Sequence, residues 1–560
     1  MSANQSYLSD GIYNYSIVVA TTQESINATM KDYLYTTSFD KVQMYWNQDD
    51  YGNPVPITKD ELLKQTAGTD PLTVANWKQG DTASQDIENI SNSNFYFAFE
   101  AAIGIPQNVS PEAIPDIITL QENSQSVLFN LLCAEFTIVS CTFGRHGIIN
   151  FERFSQSDSD FWIFTSQVIL KKIEDNSNLS QTVQEKLNNI GPDAFSVQQL
   201  LLDLDNAASE STPEISGVDK GTMVYSLLSQ VFIGAYFSEM KSKGVPVLSY
   251  SFIPKAAPVQ SDSTLKISSI AVEVSPYSAP QGTSSDSGLS TLNYLCALNG
   301  DTLPPSVEFR WNWVEAADKN NFDGIIAINR NRFATYLDAQ IAPAITGNCF
   351  KAGVRVWLSG AFKQNVDFDV TLTSAQTPVT TFTPSGSGPI VVSYAYSSSA
   401  SDRAGLDGDM GQVDITSSYN ASITLTGSQI IIHQQIIIYV KARKLQTSVG
   451  WNAVDKTLTD TYTLSVDENG KIVVAESSVP TDKAEPIPTD NWFVNLFTDL
   501  NQATKAIQNQ VNKVIEPGFK DIPLNVVQDF IFPGGKTFVF KDVLFSDEQD
   551  LITSVTYTRS

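Results

Sequence analysis

The sequence predicts an α+β protein of two similar units, each a long curved antiparallel sheet wrapped around a long helix. Three observations predict it. Residues 222–240 (TMVYSLLSQVFIGAYFSEM) contain no proline and no charge before Glu239. Residues 127–143 and 423–440 read as strands far longer than the usual five or six residues, as strands of a coiled, curved sheet do. The order strand, helix, long strands, second helix, strands occurs once in each half of the chain.

The apolar stretch comes first. At about 100° per residue, Met223, Val224, Leu227, Leu228, Val231, Phe232 and Ala235 cover half of a helix circumference. Ile233 and Phe237 lie on the other half with Ser226, Ser229 and Gln230. A helix this apolar is enclosed by protein, lipid or ligand. It is too short and too interrupted for a membrane span, which takes about 20 mostly apolar residues. Lys241 and Lys243 suit the negative end of the helix dipole, Gly244 stops the helix, and residues 245–254 read as a strand.

Composition narrows the function. The chain has 560 residues, 42% of them hydrophobic and 17% charged, with a formal net charge of −26. Phosphate binding runs on Lys and Arg, so nucleic acid and strongly anionic membrane surfaces are excluded as main partners. The first residues show no basic and apolar signal-peptide pattern, and no stretch qualifies as a transmembrane helix. The expected location is the cytoplasm, or outside the cell by a route without a Sec-type signal. Cys133 and Cys141 fall on one predicted strand, roughly 26 Å apart at strand rise, too far for a disulfide. With Cys296 and Cys349 they read as free buried thiols.

In the first half, 12–20 reads as a strand and 21–34 as a helix, with Thr21 and Glu24 at capping-box spacing. Strands follow at 41–47, 94–105, 127–143 and 151–170. Residues 60–65 suggest a short helix, and 181–206 suggest further short helices. A Gly/Ser/Pro-rich stretch, 279–291, lies between predicted strands at 265–274 and 292–298, and 307–315 (VEFRWNWVE) is a further strand. The second half restarts with a strand at 325–328 and an Asn-capped helix at 329–341 ended by Pro343. Residues 354–358 and most of 362–475 read as strands, with a type I′ hairpin at Asn469-Gly470. A long helix spans 492–515, and strands at 538–545 and 552–558 finish the chain. The expected division is a first unit at 1–255, connecting strands and linker at 256–321, and a second unit at 322–560.

This order, together with GIYNYSIVVATTQESINATMKDYL, KGTMVYSLLSQVFIGAYFSEM, FRWNWVEAADKNNFDGIIAINRNRF and FPGGKTFVFKDVLFSDEQDLITSVTY, resembles the tubular lipid-binding (TULIP) superfamily. Within it, the chain resembles the OrfX-type accessory proteins of botulinum neurotoxin clusters and their forty-seven-kilodalton relative. The paired cysteines of secreted superfamily members have no counterpart here. The resemblance implies a hydrophobic groove between helices and sheet that holds a lipid or other apolar ligand. It places Met223, Val224, Leu227, Leu228, Val231 and Phe232 of the first helix in that groove, with Phe493, Phe497, Leu500 and Ile507 of the second. It also implies a protein partner such as a toxin or complex component.

Catalytic motifs are missing from the sequence. There are two histidines, His146 and His433; a lone strand histidine reads as structural. No metalloprotease, nucleophile-elbow, Walker or dinucleotide motif occurs. Asp402, Asp407, Asp409 and Asp414 read as a solvated Gly-rich loop without EF-hand spacing. The expectation is a non-enzymatic lipid-binding protein with no cofactor, no metal and no stable membrane insertion. Two other readings stand beside it: a structural or protein-interaction protein with filled cores, and a pore-forming or insecticidal toxin component.

Overall fold

A strand that is apolar at every position needs cover on both faces, and the chain supplies it to one six-stranded antiparallel sheet. Across that central sheet the strands are Ile267–Ser275, Thr291–Leu298, Ile17–Thr22, Gly324–Ile328, Leu551–Tyr557 and Phe538–Phe545. Ile17, Val19, Ile326 and Ile328 face the main core. Val18, Ala20, Ile325 and Ala327 face a second core on the other side. The structure is a computed structural model. It describes residues 2–558 except 37–39, 107, 122–125, 146, 158–160, 175–182, 186–194, 204–213, 217, 233, 235–246, 255–264, 280–285, 364, 406–410, 445–446, 487–499, 518–529 and 532–535, and it describes only the backbone of 171–174, 195–203, 214, 216, 247–254 and 531.

The second core is covered by chain without regular structure. Tyr13 stacks on Phe309 at 5.2 Å and meets Trp311 edge-on at 5.1 Å; Trp311 and Trp313 lie 5.4 Å apart. The Tyr15 hydroxyl donates to Pro305 O (2.6 Å) and accepts from Val307 N (2.9 Å). One carboxylate ties this cover to the sheet. Asp550 accepts from Ser6 Oγ (2.8 Å), Leu8 N (2.7 Å) and Arg330 N (2.9 Å). Asn329 Nδ2 donates to Leu8 O and Tyr15 O, both at 3.0 Å.

Among the described residues the α-helices are α1 (Gln23–Thr36), α2 (Lys59–Gln65), α3 (Gln85–Ser91), α4 (Met223–Leu227), α5 (Arg330–Gly347) and α6 (Leu500–Gln510). A twelve-stranded sheet forms from the first half and gains one strand, Phe530–Ile531, from the second. Its longest strand, Ser126–Gly144, has 19 residues because it changes partners along its length. Residues 126–132 pair with Ile163–Glu174, whereas 137–144 pair with Gly147–Ser155. Tyr96 is an extra residue in the neighbouring strand, since Trp46 pairs with Phe97 and Asn47 with Phe95. That bulge turns Phe95 into a third core with Leu62, Ile87 and Ile90, while Phe97 faces the main core. The second half contributes the hairpin Lys351–Ser359/Asn365–Thr373 and a second six-stranded sheet, Val379–Phe382, Ile390–Ala404, Gly411–Thr426, Gln429–Lys444, Thr447–Val466 and Ile472–Asp482. The α+β class and the long antiparallel sheets are as expected.

Several local expectations are corrected. α1 is capped by Thr22, whose Oγ1 accepts from Ser25 N (3.2 Å). Thr21 is still in the strand, against the Tyr557 hydroxyl, and Glu24 reaches Lys319 (2.8 Å). The first strand begins at Ile17, not 12. The expected strand 151–170 is two strands, Gly147–Ser155 and Ile163–Glu174. Phe195–Asp203, read as helix, is a strand held between Ile163–Glu174 and Val247–Pro254. Residues 307–315 form no strand, because their partners are tyrosine hydroxyls and aromatic rings. Pro343 lies inside α5, which continues to Gly347. Asn348 holds that last turn, donating its N–H to Ala344 O (3.1 Å) and Nδ2 to Gln434 Oε1 (2.8 Å). The expected strand 423–440 is broken by a turn at Gly427, φ +57°. The hairpin at Asn469-Gly470 has a five-residue loop and a positive φ only at Gly470, so it is not type I′. α6 stops at Gln510, short of 515, where Lys456 Nζ donates to Val511 O (2.9 Å) and Asn512 O (2.8 Å). Asp402 and Asp414 stand on strands and not in a loop; Asp407 and Asp409 lie outside the described residues, as does His146. Cys133 and Cys141 share one strand, and all four cysteines are free and buried.

Burial pushes the Asp550 carboxyl up to about 7 from an ordinary 3.8, against the donors that favour its charge. A carboxyl raised on folding holds its proton longer in the native state. Its contribution is therefore complete below about pH 4 and is lost as pH rises through 7. Relative to Asp550→Asn, the native chain should lose stability between pH 4 and 7 and change little above that. Urea midpoints of both proteins across this range check the sign.

Candidate functional site

Residues 223–232 form a short helix followed by a wider turn. Thr222 Oγ1 accepts from Tyr225 N (3.2 Å) and starts α4. After Leu227 the chain widens into a π-turn over Leu228–Phe232, a feature often found at functional positions. The turn aims Phe232 into a ring cluster. Its centroid lies 4.7 Å from Phe99, 4.8 Å from Phe136 and 4.8 Å from Phe164. Those rings come from three adjacent strands of the twelve-stranded sheet, and Trp162 extends the cluster from Phe136 at 4.9 Å. Val224, Leu227, Leu228 and Phe232 are buried; Met223, Tyr225 and Val231 are half-buried against the same core.

α6 presents Leu500, Ala503, Thr504 and Ile507 to the protein and exposes Lys505, Ala506 and Asn509. It sits on other strands. Gln510 Nε2 donates to Val370 O (3.0 Å), Leu372 N donates to Gln510 Oε1 (2.8 Å), and Gln508 Nε2 donates to Ala453 O (3.1 Å). The two groups of site residues thus lie on different sheets, although Leu500 and Ile507 belong to the same continuous core as Val224 and Phe232. Phe493 and Phe497 lie outside the described residues.

A polar cleft of about 660 Å³ runs beside α1, lined by Glu24, Lys31, Asp32, Asp116, Asp286 and Lys319 among others. Its charges are largely matched. Lys319 bridges Glu24 and Asp286 at 2.8 Å each, Lys31 lies 3.7 Å from Asp116, and Lys536 reaches Asp32 at 2.7 Å. These partners raise the Lys319 ammonium to about 12 and lower the Asp286 carboxyl. Sequence reasoning missed this cleft, because its residues are scattered from 24 to 319 without a local motif. A shallower groove of about 330 Å³ on the second-half sheet includes His433, whose Nδ1 lies 2.9 Å from Thr459 Oγ1. Among the described residues no three His, Cys, Asp or Glu side chains are grouped to hold a metal ion. Among them too, no helix is long and apolar enough to cross a membrane.

No protein-family model and no curated protein matches the sequence. Solved structures similar to the chain include P47 of Clostridium botulinum E1, 10% identical over 97% of this chain and 98% of that one, with a TM-score of 0.44. P47 from Clostridium botulinum A2 is 11% identical over 97% and 98%, with a TM-score of 0.43. A lipopolysaccharide binding protein is 10% identical over 98% and 99%, with a TM-score of 0.27. These neighbours are of the OrfX and tubular lipid-binding kinds that the sequence resembles. At such scores they carry no weight in the reading of the site, which rests on its own geometry.

Removing the Phe232 ring should leave a cavity between three strands. Phe232→Ala is expected to cost about 3–5 kcal/mol, as large-to-small aromatic changes in cores do. Met223→Ala, at the half-buried edge, should cost well under half of that. Urea denaturation of the two variants beside the native chain measures both.

Proposed function

We propose that the chain binds a lipid or another hydrophobic ligand without catalysing a reaction, and that residues 223–232 form the edge of its apolar site. The observation that carries this is the half-buried rim of Met223, Tyr225 and Val231 above the Phe99, Phe136, Phe164 and Phe232 rings. Apolar surface left half open beside a fully apolar floor gains most from an apolar occupant, at roughly 25 cal/mol per Å² removed from water. Leu500 and Ile507, with Phe493 and Phe497, belong to the same proposed site from the second half. The proposal takes residues 1–255 and 322–560 as two units joined by 256–321. It takes the chain as an accessory protein with a protein partner such as a toxin, working in the cytoplasm or exported without a Sec-type signal.

A second reading has an observation of its own. Val224, Leu228, Phe232, Leu500 and Ile507 are all buried by protein, which suits filled cores and a role in binding a protein partner.

Native mass spectrometry of the purified chain, followed by organic extraction, separates the two. A stoichiometric apolar ligand is the expected result. Val231→Trp, which fills the rim, should remove at least about nine-tenths of that ligand while the melting temperature stays within a few degrees. Bare protein at the chain mass would overturn the lipid reading in favour of filled cores.

A further inference from the structure

The second-half sheet turns one face to the main core, through Ile430, Ile432, Ile436 and Ile438 of the strand Gln429–Lys444. The residues between these point the other way, as does every second residue of the neighbouring strands. Register fixes what that outer face carries. One row across all six strands is Thr381, Ser393, Ser422, His433, Thr459 and Val479. The rows beside it carry Asn420 with Gln435 and Thr424 with Ile431. Residues 390–399, 416–439 and 457–466 include one acidic or basic side chain, Asp460, which pairs with Ile432 and is buried on the core side. Charge returns at the end of the sheet, where Asp414 meets Arg443 at 3.1 Å, and at its border, where Asp455 accepts from Gln435 Nε2 (3.0 Å). Asn420 and His433 are exposed, and Val379 and Val479, on the two outermost strands, are 70% and 59% exposed.

Three properties of this face describe its occupant. The first is charge. A chain of net charge −26 repels a second copy of itself, and repels it least where neither surface is charged. The second is chemistry. A two-fold interface needs a surface complementary to itself. Hydroxyls and side-chain amides each donate and accept, so a face built of them meets its own copy without mismatch, which a face of one charge sign does not. The third is size. Five long strands about 4.8 Å apart and four rows about 7 Å apart span roughly 24 Å by 27 Å, or about 650 Å² on each copy. Two such faces bury about 1,300 Å², above the roughly 1,000 Å² that a specific interface requires. Both copies also carry the same twist, so their strands align within about 30° and their side chains interdigitate. We infer that the outer face of the second-half sheet packs against the same face of a second copy, giving a two-fold dimer. The face belongs to a different sheet from the rings beneath the 223–232 rim, and the inference stands whether or not that rim takes a lipid.

Sedimentation velocity of the full chain between about 1 and 100 μM tests this. A reversible monomer–dimer equilibrium is expected, with a Kd of micromolar order, the weak end for interfaces of this size. Salt gives the sign of the electrostatics. The interface holds no ion pairs and the rest of the chain repels, so raising NaCl from 0.05 to 0.5 M should tighten the dimer at least about twofold as the repulsion is screened. Asn420→Glu puts an unpaired charge into the middle of the face and should weaken the dimer at least about tenfold. Val479→Glu, at the edge, should weaken it less, and Asn420→Gln, which stays neutral, should leave it within about twofold. Melting temperatures within a few degrees of the native chain check that each variant keeps its fold. A monomer at every concentration and salt overturns the inference and leaves the face to a neutral partner of another kind. A dimer that Asn420→Glu and Val479→Glu both leave intact overturns it as well, since the contact is then elsewhere. So does a dimer that dissociates as salt is added, since opposite charges then hold it.

Discussion

The structure depends on the burial of the central sheet on both faces. Six strands drawn from residues 17–22, 267–298, 324–328 and 538–557 meet there, so both halves of the chain must be in place before it is complete. Packing of this closeness leaves no slack. A Cβ on Gly324 would lie 2.3 Å from Ala20 O in the neighbouring strand, and that contact alone requires glycine at the start of its strand. The second face brings a different demand. It is covered by coil, whose backbone N–H and C=O groups have no ladder to join and must find side-chain partners. The tyrosine hydroxyls of residues 13 and 15, the Asn329 amide and the Asp550 carboxyl supply them. Asp550 is a conspicuous case. Its carboxyl sits where water does not reach, at the N-terminus of α5, and three donors from two distant parts of the chain converge on it.

Much of this was legible in the sequence, and the failures share a physical cause. Strands apolar throughout, such as Gly324–Ile328, announce themselves because no helix of that length stands alone. The alternation in VEFRWNWVE, read as a strand, matches the one buried face that Phe309, Trp311 and Trp313 share. It does not say what the backbone between them bonds to, and tyrosine hydroxyls replace a neighbouring strand. Residues 195–203 carry an apolar run of a length that suits either helix or strand, and the backbone partners on both sides decide for strand. Pro343 is a strong local stop signal. Asn348 overrides it with bonds to Gln434, to Ile515 O and from Ile515 N, none of which is near it in sequence.

The candidate site was legible by composition more than by place. An uncharged stretch at 223–232 had to be enclosed, and its inward residues, Tyr225 apart, are the ones its helical projection selected. The width of its last turn was not readable, because a π-turn has no residue signature; Phe232 reaches three rings through it. The aromatic floor was present in the sequence as single phenylalanines on separate strands, and only their pairing makes it a surface. The charged cleft was beyond sequence reading for a stronger reason. It assembles residues from segments as far apart as 24 and 319, with no spacing rule to connect them.

The two helical segments of the site are held in different ways, and that difference bears on what they can accommodate. α6 is fixed by directed bonds: glutamine side chains bond backbone groups of two strands, and Lys456 takes the carbonyls beyond its end. Moving it would break several directed bonds at once, although water reaches those of Gln510. Residues 223–232 meet the sheet through rings and aliphatic groups, whose attraction depends on area and contact and hardly on direction. Such a surface can exchange protein carbon for ligand carbon with little change in energy, and its half-buried rim already lies at the edge of the core. On the proposed lipid reading, adaptability belongs to the 223–232 side, and α6 is the more fixed of the two.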